Sequence, residues 1–230
     1  MVSAIIVAAG SSRRMGFDKL FAPLAGKPVL WYSITAFSEC KEVDEILVVT
    51  REDRMDEVEK LVSGQRLKKV TKVISGGAER HISVWNGLQA VSSQGSEYIA
   101  IHDGARPLTT PKLIKSCLDL ARVHGAACCA SQIPDTVKRA SIEQMVTESV
   151  ERTGLWAMQT PQVFSSGLIL QAYAALMAKH EMVTDEVSAV QKLGKKIALL
   201  KNEDWNMKIT FPHDLELAEH VLELRSKKKR

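Results

Sequence analysis

Aromatic residues make up only 5% of the chain, and they are not interleaved with basic ones. Base stacking along a charged groove therefore has no material to work with, which argues against a nucleic-acid-binding module. Charge of one sign is equally scarce. The formal net charge is +4, and Lys227, Lys228, Lys229 and Arg230 by themselves supply as much, so the body is close to neutral. No apolar run reaches the ~18 residues needed to cross a bilayer. The first residues run straight into an apolar segment with no basic stretch before it, which is not the pattern of a secretory signal. The four cysteines, Cys40, Cys117, Cys128 and Cys129, include no Cys-x-x-Cys pair. They read as reduced thiols of a cytoplasmic protein with no zinc site, no nucleic-acid partner and no membrane partner. If Cys128 and Cys129 lie on a strand, they point to opposite faces. No internal repeat and no low-complexity linker interrupts the chain, which favours a single domain over residues 1–230 with a short basic tail at 226–230.

What is present is an alternation of apolar strand-like runs with amphipathic segments. Ser3 to Ala9 suits a buried parallel strand, Pro28 suits the first residue of a helix whose stripe is Val29, Leu30, Ile34 and Phe37, and Ile46 to Val49 is a second strand. A helix from Asp53, as its cap, to Val62 follows, then a strand at Val70 to Ile74 and a helix marked by Ile82, Trp85 and Leu88. Tyr98 to Ile101 is a strand and Pro111 to His124 a helix. The pattern predicts an α/β fold with a doubly wound, mostly parallel sheet. After a strand at Ala127 to Ile133 the rhythm changes. Residues 134–153 hold polar β-favouring pairs such as Thr136-Val137 and Val146-Thr147 with no crossover helix, and predict a β-arm that leaves the main sheet and packs on a second subunit. Helices at Leu168 to Met177 and Asp185 to Leu193, strands at Ile197 to Leu200 and Met207 to Ile209, and a helix at Pro212 to Leu224 complete the chain.

Ligands of such sheets lie beyond the carboxyl ends of the strands, so the loops after strands carry the chemistry. In the first, Ala8-Ala9-Gly10-Ser11-Ser12-Arg13-Arg14-Met15-Gly16 combines small residues with two arginines, and Lys19 adds a point charge. Backbone N–H groups and guanidinium forks are what phosphate oxygens need. The loop is not a dinucleotide-binding Gly-x-Gly-x-x-Gly, because Ser12 and Arg13 fall at or beside the glycine positions, and no acidic residue is clearly placed for a ribose. It is not a P-loop either, since Gly26-Lys27 is followed by Pro28 where Ser or Thr is required. A solvated turn is the plain alternative for the arginine pair, and a buried strand just before it shifts the balance towards a site. The second loop places Asp103 and Arg106 at a strand end, a carboxylate able to hold Mg²⁺ directly or through water beside a cation able to pair with an anion. His102 next to them reads as a packed residue. The third, Gly76-Gly77 followed by Arg80 and Ser83, suits a flat base lying against backbone, although Gly-Gly turns also occur where nothing binds.

These stretches, with Asp135-Thr136-Val137-Lys138, Arg152-Thr153-Gly154-Leu155-Trp156, Gln159-Thr160-Pro161-Gln162, Thr184-Asp185-Glu186 and Lys208-Ile209-Thr210, resemble the 2-C-methyl-D-erythritol 4-phosphate cytidylyltransferase family over nearly the whole chain. The resemblance implies a Rossmann-like nucleotidyltransferase fold, CTP and methylerythritol phosphate as substrates, and Mg²⁺ or another divalent cation. It implies that Arg14 and Lys19 contact the triphosphate and stabilise the transition state, while Ala8, Ala9, Gly10, Gly77 and Ser83 surround cytosine and ribose. Asp103 would lie near ribose, metal and acceptor. Arg106, Thr160, Thr184 and Lys208 would hold the acceptor phosphate side, and Lys208 with Arg152 would keep the acceptor in line. Thr136 and Arg152 belong to the arm, which implies a homodimer with shared sites. Two positions depart from the pattern: Ser12 stands where many relatives have glycine, and Met207 replaces a β-branched residue.

A phosphate monoester is already an anionic nucleophile near neutral pH, so attack on the α-phosphorus of CTP needs no general base. The nearest alternative is a ribitol 5-phosphate cytidylyltransferase, against which Ala8-Ala9-Gly10 and Gly104-Ala105 speak. A nucleotide-binding regulator without turnover would have no reason to keep Arg14, Lys19, Arg152 and Lys208 together.

Overall fold

The computed structural model describes residues 1–10, 15–65, 67–91 and 95–227. Strand β1 (Val2–Ala8) leads through two short pairing segments, β2 (Pro23–Leu24) and β3 (Lys27–Pro28), into α1 (Val29–Glu39). Then come β4 (Glu45–Thr50), α2 (Met55–Gly64), β5 (Val70–Ser75), α3 (Arg80–Ala90), β6 (Tyr98–Asp103), α4 (Pro111–His124) and β7 (Ala126–Gln132). A hairpin of β8 (Val137–Ala140) and β9 (Val146–Val150) precedes β10 (Trp156–Ser165), α5 (Ser166–Ala178), α6 (Glu186–Gln191), β11 (Ala198–Lys201) and α7 (His213–Lys227).

Seven strands form one sheet in the order β11-β7-β10-β6-β1-β4-β5. Every neighbouring pair is parallel except the two that involve β10. The chain winds outward from β1 through β4 to β5, then returns to lay β6 on the other side of β1. That reversal opens a crevice at the carboxyl ends of β1 and β6, where open α/β sheets bind ligands.

Helices cover both faces, which is why β1 and β4 are apolar almost without alternation. On one face Ile6, Val48 and Ala100 meet Leu30, Ile34 and Phe37 of α1 and Ile114, Leu118 and Ala121 of α4. On the other, Ile5, Val49, Ile99 and Ile101 meet Val84 and Leu88 of α3 and Ile169 and Tyr173 of α5. Cys129 belongs to the first core and Cys128 to the second, so the adjacent thiols do face opposite ways. All four cysteines are free. Among the described residues no helix is long and apolar enough to cross a membrane.

Several expectations need correction. Pro28, at ψ 146°, lies outside α1 and Val29 begins the helix. The helix expected from Asp53 starts at Met55, after a tight turn at Glu52–Arg54, because the Asp53 carboxylate pairs with Arg51 at 2.9 Å instead of capping. No strand forms at Met207 to Ile209. That segment is irregular, and its backbone is tied to the loop after β6 by a bond of 2.8 Å from Ile209 N–H to the Ala105 carbonyl. Conversely, β10 was not foreseen. Gln159, Thr160, Pro161 and Gln162 break its apolar pattern, and the register shifts between Met158 and Gln162, the kind of irregularity at which a sheet tolerates proline. The arm foreseen at 134–153 contains the β8–β9 hairpin, which forms its own two-stranded sheet. Of the expected basic tail, Ser226 and Lys227 continue α7, and residues 228–230 lie outside the described ones.

Candidate active site

At the β1/β6 reversal lies a cleft of about 380 Å³, lined by Val7, Ala8, Ala9, Gly10, Met15, Lys19, Leu20, Arg80, Ser83, Asp103, Ala105, Lys208 and Thr210. Its apolar wall is the end of β1. A side chain on Gly76 would bring its Cβ within 2.5 Å of the Ala9 Cβ and 2.8 Å of Ser83 Oγ, so glycine there lets β1 and α3 close around the same space. Ser83 Oγ in turn accepts from Gly77 N–H at 3.1 Å. Ala8, Ala9, Gly10 and Ser83 thus line one cleft, and Gly77 joins them through Ser83.

The polar wall centres on Asp103 at the end of β6. Lys208 Nζ donates to its Oδ2 at 2.9 Å and Arg80 Nε to its Oδ1 at 3.1 Å, while Arg106 Nε stands 3.6 Å from Oδ2. Burial alone would raise the Asp103 pKa, but the three cations outweigh it and hold the carboxyl well below the usual carboxylate range. Lys19, in the loop after β1, donates to the carbonyl of Ile209, next to Lys208, at 2.7 Å. Lys19, Arg80 and Lys208 line the cleft with Asp103, and Arg106 pairs with Asp103 beside them, a gathering of cations suited to an anionic ligand.

Thr160 of β10 supports this wall from behind. Its hydroxyl accepts from Asp103 N–H at 3.1 Å and lies 3.0 Å from His102 Nδ1. Burial pushes the His102 imidazole down to about 3, so the ring is neutral. The Arg106 carbonyl, 3.4 Å from Nε2, can only accept. The ring hydrogen therefore sits on Nε2, and Thr160 donates to Nδ1. Unfolded, His102 takes up a proton below about 6.5, whereas folded it stays neutral to about 3. In that window the unfolded chain binds more protons, so stability falls as the pH is lowered, by up to about 1.4 kcal/mol per unit. His102→Gln is expected to flatten the dependence between about pH 6 and 4, measured by urea unfolding at fixed pH steps. An unchanged slope would count against a neutral buried ring.

Other expected site residues stand apart in the single chain. Arg152 and Thr136 are exposed on the arm, and Arg152 donates to the Pro134 carbonyl and lines a separate hollow with Ile133, Leu155 and Trp156. Thr184 is exposed just before α6 and does not line the cleft. Ser11, Ser12, Arg13 and Arg14 lie outside the described residues. Two residues to which the sequence assigns no role, Arg80 and Glu186, are central. Arg80, the first residue of α3, makes a two-pronged pair with Glu186, at 2.6 and 3.1 Å, as well as its bond to Asp103. The Gly76-Gly77 motif pointed to that helix start, but a pairing across 106 positions leaves no mark on a linear pattern.

The profile of the IspD family, 2-C-methyl-D-erythritol 4-phosphate cytidylyltransferase, matches residues 2–224. The chain belongs to this family. A 2-C-methyl-D-erythritol 4-phosphate cytidylyltransferase of Bacillus mycoides is 39% identical over 230 residues, 99% of this chain and 100% of the relative. One from Lachnospira eligens is 40% identical over 223 residues, 95% of this chain and 97% of the relative. Among solved structures, a 4-diphosphocytidyl-2C-methyl-D-erythritol synthase from Anaerococcus prevotii superposes with a TM-score of 0.84 at 30% identity, covering 97% of this chain and 96% of the other. A 2-C-methyl-D-erythritol 4-phosphate cytidylyltransferase from Thermus thermophilus gives 0.77 at 29% identity, covering 95% and 98%. The family's fold is thus the seven-stranded sheet described above, and the cleft lies where that sheet reverses.

Proposed function

We propose that the chain transfers CMP from CTP to 2-C-methyl-D-erythritol 4-phosphate, giving 4-(cytidine 5′-diphospho)-2-C-methyl-D-erythritol and pyrophosphate. Beyond family membership, the observation that supports this reading most is that Lys19 and Lys208 line one cleft together with Asp103 and the apolar end of β1. Such a cleft can hold a triphosphate against one cation and a second phosphate against the other.

An oxygen of the acceptor phosphate attacks the α-phosphorus in line. The bond from that phosphorus to the bridging oxygen breaks, and pyrophosphate leaves with the electron pair. Charge repulsion and alignment dominate the barrier, so preorganised cations are the main catalytic device. Lys19, with Arg14, offsets charge on the α-phosphate and leaving group, and Lys208 meets the acceptor phosphate. The base lies against Ala8, Ala9, Gly10, Gly77 and Ser83.

Among the described residues no group of three or more His, Cys, Asp or Glu could hold a metal ion by itself. A single carboxylate beside a polyphosphate site is nevertheless a common way to hold Mg²⁺, whose remaining ligands are phosphate oxygens and water. Asp103 fits that role. The bound ion would supply further neutralisation of phosphate charge.

The acceptor side is completed, in this reading, by Arg106 and by Thr136 and Arg152 from the arm of a second copy, while Thr160, its hydroxyl committed to Asp103 and His102, supports that wall from behind. Exposed apolar residues at the hairpin support a homodimer: Ile142 is 93% exposed, and Met145 and Val146 are exposed beside it. Four free cysteines are in keeping with a reducing, cytoplasmic compartment.

A pyrophosphate-release assay with CTP and Mg²⁺ tests the function. Methylerythritol phosphate is expected to be the preferred acceptor over ribitol 5-phosphate and other polyol phosphates. Preference for ribitol phosphate would move the chain to that activity, and no release with any of them would overturn the reading.

A further inference from the structure

One wall of the cleft is anchored from behind by a charge that no ligand reaches. Glu186, the first residue of α6, is fully buried. Three donors converge on its carboxylate: Arg80 Nη1 at 2.6 Å, Arg80 Nη2 at 3.1 Å and the Tyr173 hydroxyl at 3.1 Å. A guanidinium is a planar fork, so seating both terminal nitrogens on Glu186 dictates where Nε points. It points at Asp103 Oδ1, 3.1 Å away. Tyr173 is itself held by the buried core and by parallel stacking on Trp85, with ring centroids 6.4 Å apart. Lys208 meets the other carboxylate oxygen from a flexible stem that is 37% exposed. Oδ1 of Asp103 is therefore tied to a rigid partner, whereas Oδ2 is hydrogen-bonded to the exchangeable Lys208, with Arg106 Nε farther off at 3.6 Å.

We propose that Glu186 and Tyr173 are positioning residues for nucleotidyl transfer, acting through Arg80 to fix the rotamer of Asp103 so that only Oδ2 is offered to the reactants. The inference rests on the reading of Asp103 as part of the reaction site. A carboxylate free to turn could take Lys208 in several geometries, and the acceptor phosphate would then meet its cation out of line.

Glu186→Gln keeps the shape and removes the charge. It is expected to lower kcat about 10-fold or more, the usual scale for partners that orient a site residue, with KM for CTP little changed. Tyr173→Phe, which deletes one hydrogen bond, is expected to lower kcat about 3-fold. The deciding measurement is a cycle with Asp103→Asn. If Glu186 acts through Asp103, the double variant turns over no more slowly than Asp103→Asn alone. Losses that multiply would overturn the inference while leaving the site reading intact. Asp103→Asn with normal turnover would overturn the site reading, and this inference with it. Should Glu186→Gln fail to fold, the same cycle run with Tyr173→Phe decides the matter.

Discussion

Lys19→Ala is expected to lower kcat by about 10²-fold or more, because removing one preorganised charge stabiliser costs roughly 3 kcal/mol at the transition state. Lys19 lies in the loop after β1, and its amine is held by the Ile209 carbonyl at 2.7 Å. That bond joins the loop after β1 to the segment carrying Lys208, so the amine is in place before any ligand arrives. Its loss from a half-buried position should cost the fold only about 1 kcal/mol, so turnover collapses while the unfolding temperature moves little. Pyrophosphate release at saturating substrates, together with a thermal melt, separates the two effects. A variant within a few-fold of the parent would rule out Lys19 as the charge stabiliser.

Arg80→Ala should instead break the fold. Glu186 is fully buried, and without the guanidinium only the Tyr173 hydroxyl remains to its carboxylate. An uncompensated buried charge costs about 3–5 kcal/mol, which for a chain of this size lowers the unfolding temperature by roughly 10 °C. Burial works against the Arg80 charge too, but Glu186 and Asp103 outweigh it and hold the guanidinium well above its ordinary pKa. The pair is therefore mutually dependent. Arg80→Met combined with Glu186→Leu removes both charges and should regain much of the lost stability. Urea titration of the three proteins measures this, and a loss below about 1 kcal/mol in Arg80→Ala would show that water reaches Glu186.

The parallel half of the sheet was legible because each element carries its own punctuation. In α4, the Thr110 side chain accepts from Leu113 N–H, Pro111 opens the helix, and Gly125 closes it at φ 79°, so both ends could be read from sequence. The strand β10 had no such marks. Its polar centre is satisfied largely by partners elsewhere, as when Gln162 Oε1 accepts from Val187 N–H at 3.1 Å. The site divides the same way. Asp103, Lys19 and Lys208 stood out as charges at strand ends or in a family motif, whereas Glu186 is visible as a site residue only once α6 is folded against α3. Arg152, Thr136 and Thr184 remain apart from the cleft in one chain, and a role for the first two depends on a second copy of the arm.

The place of β10 also orders events while the chain is being made. It lies between β6 and β7 in space but follows both in sequence. Until it has emerged from the ribosome, the facing edges of β6 and β7 stay open in the nascent chain, each able to pair with a wrong partner. The backbone amide of Asp103 has no Thr160 to receive it during that interval. The same late strand closes the sheet and sets the carboxylate, so a chain stalled before it is both aggregation-prone and without a formed site.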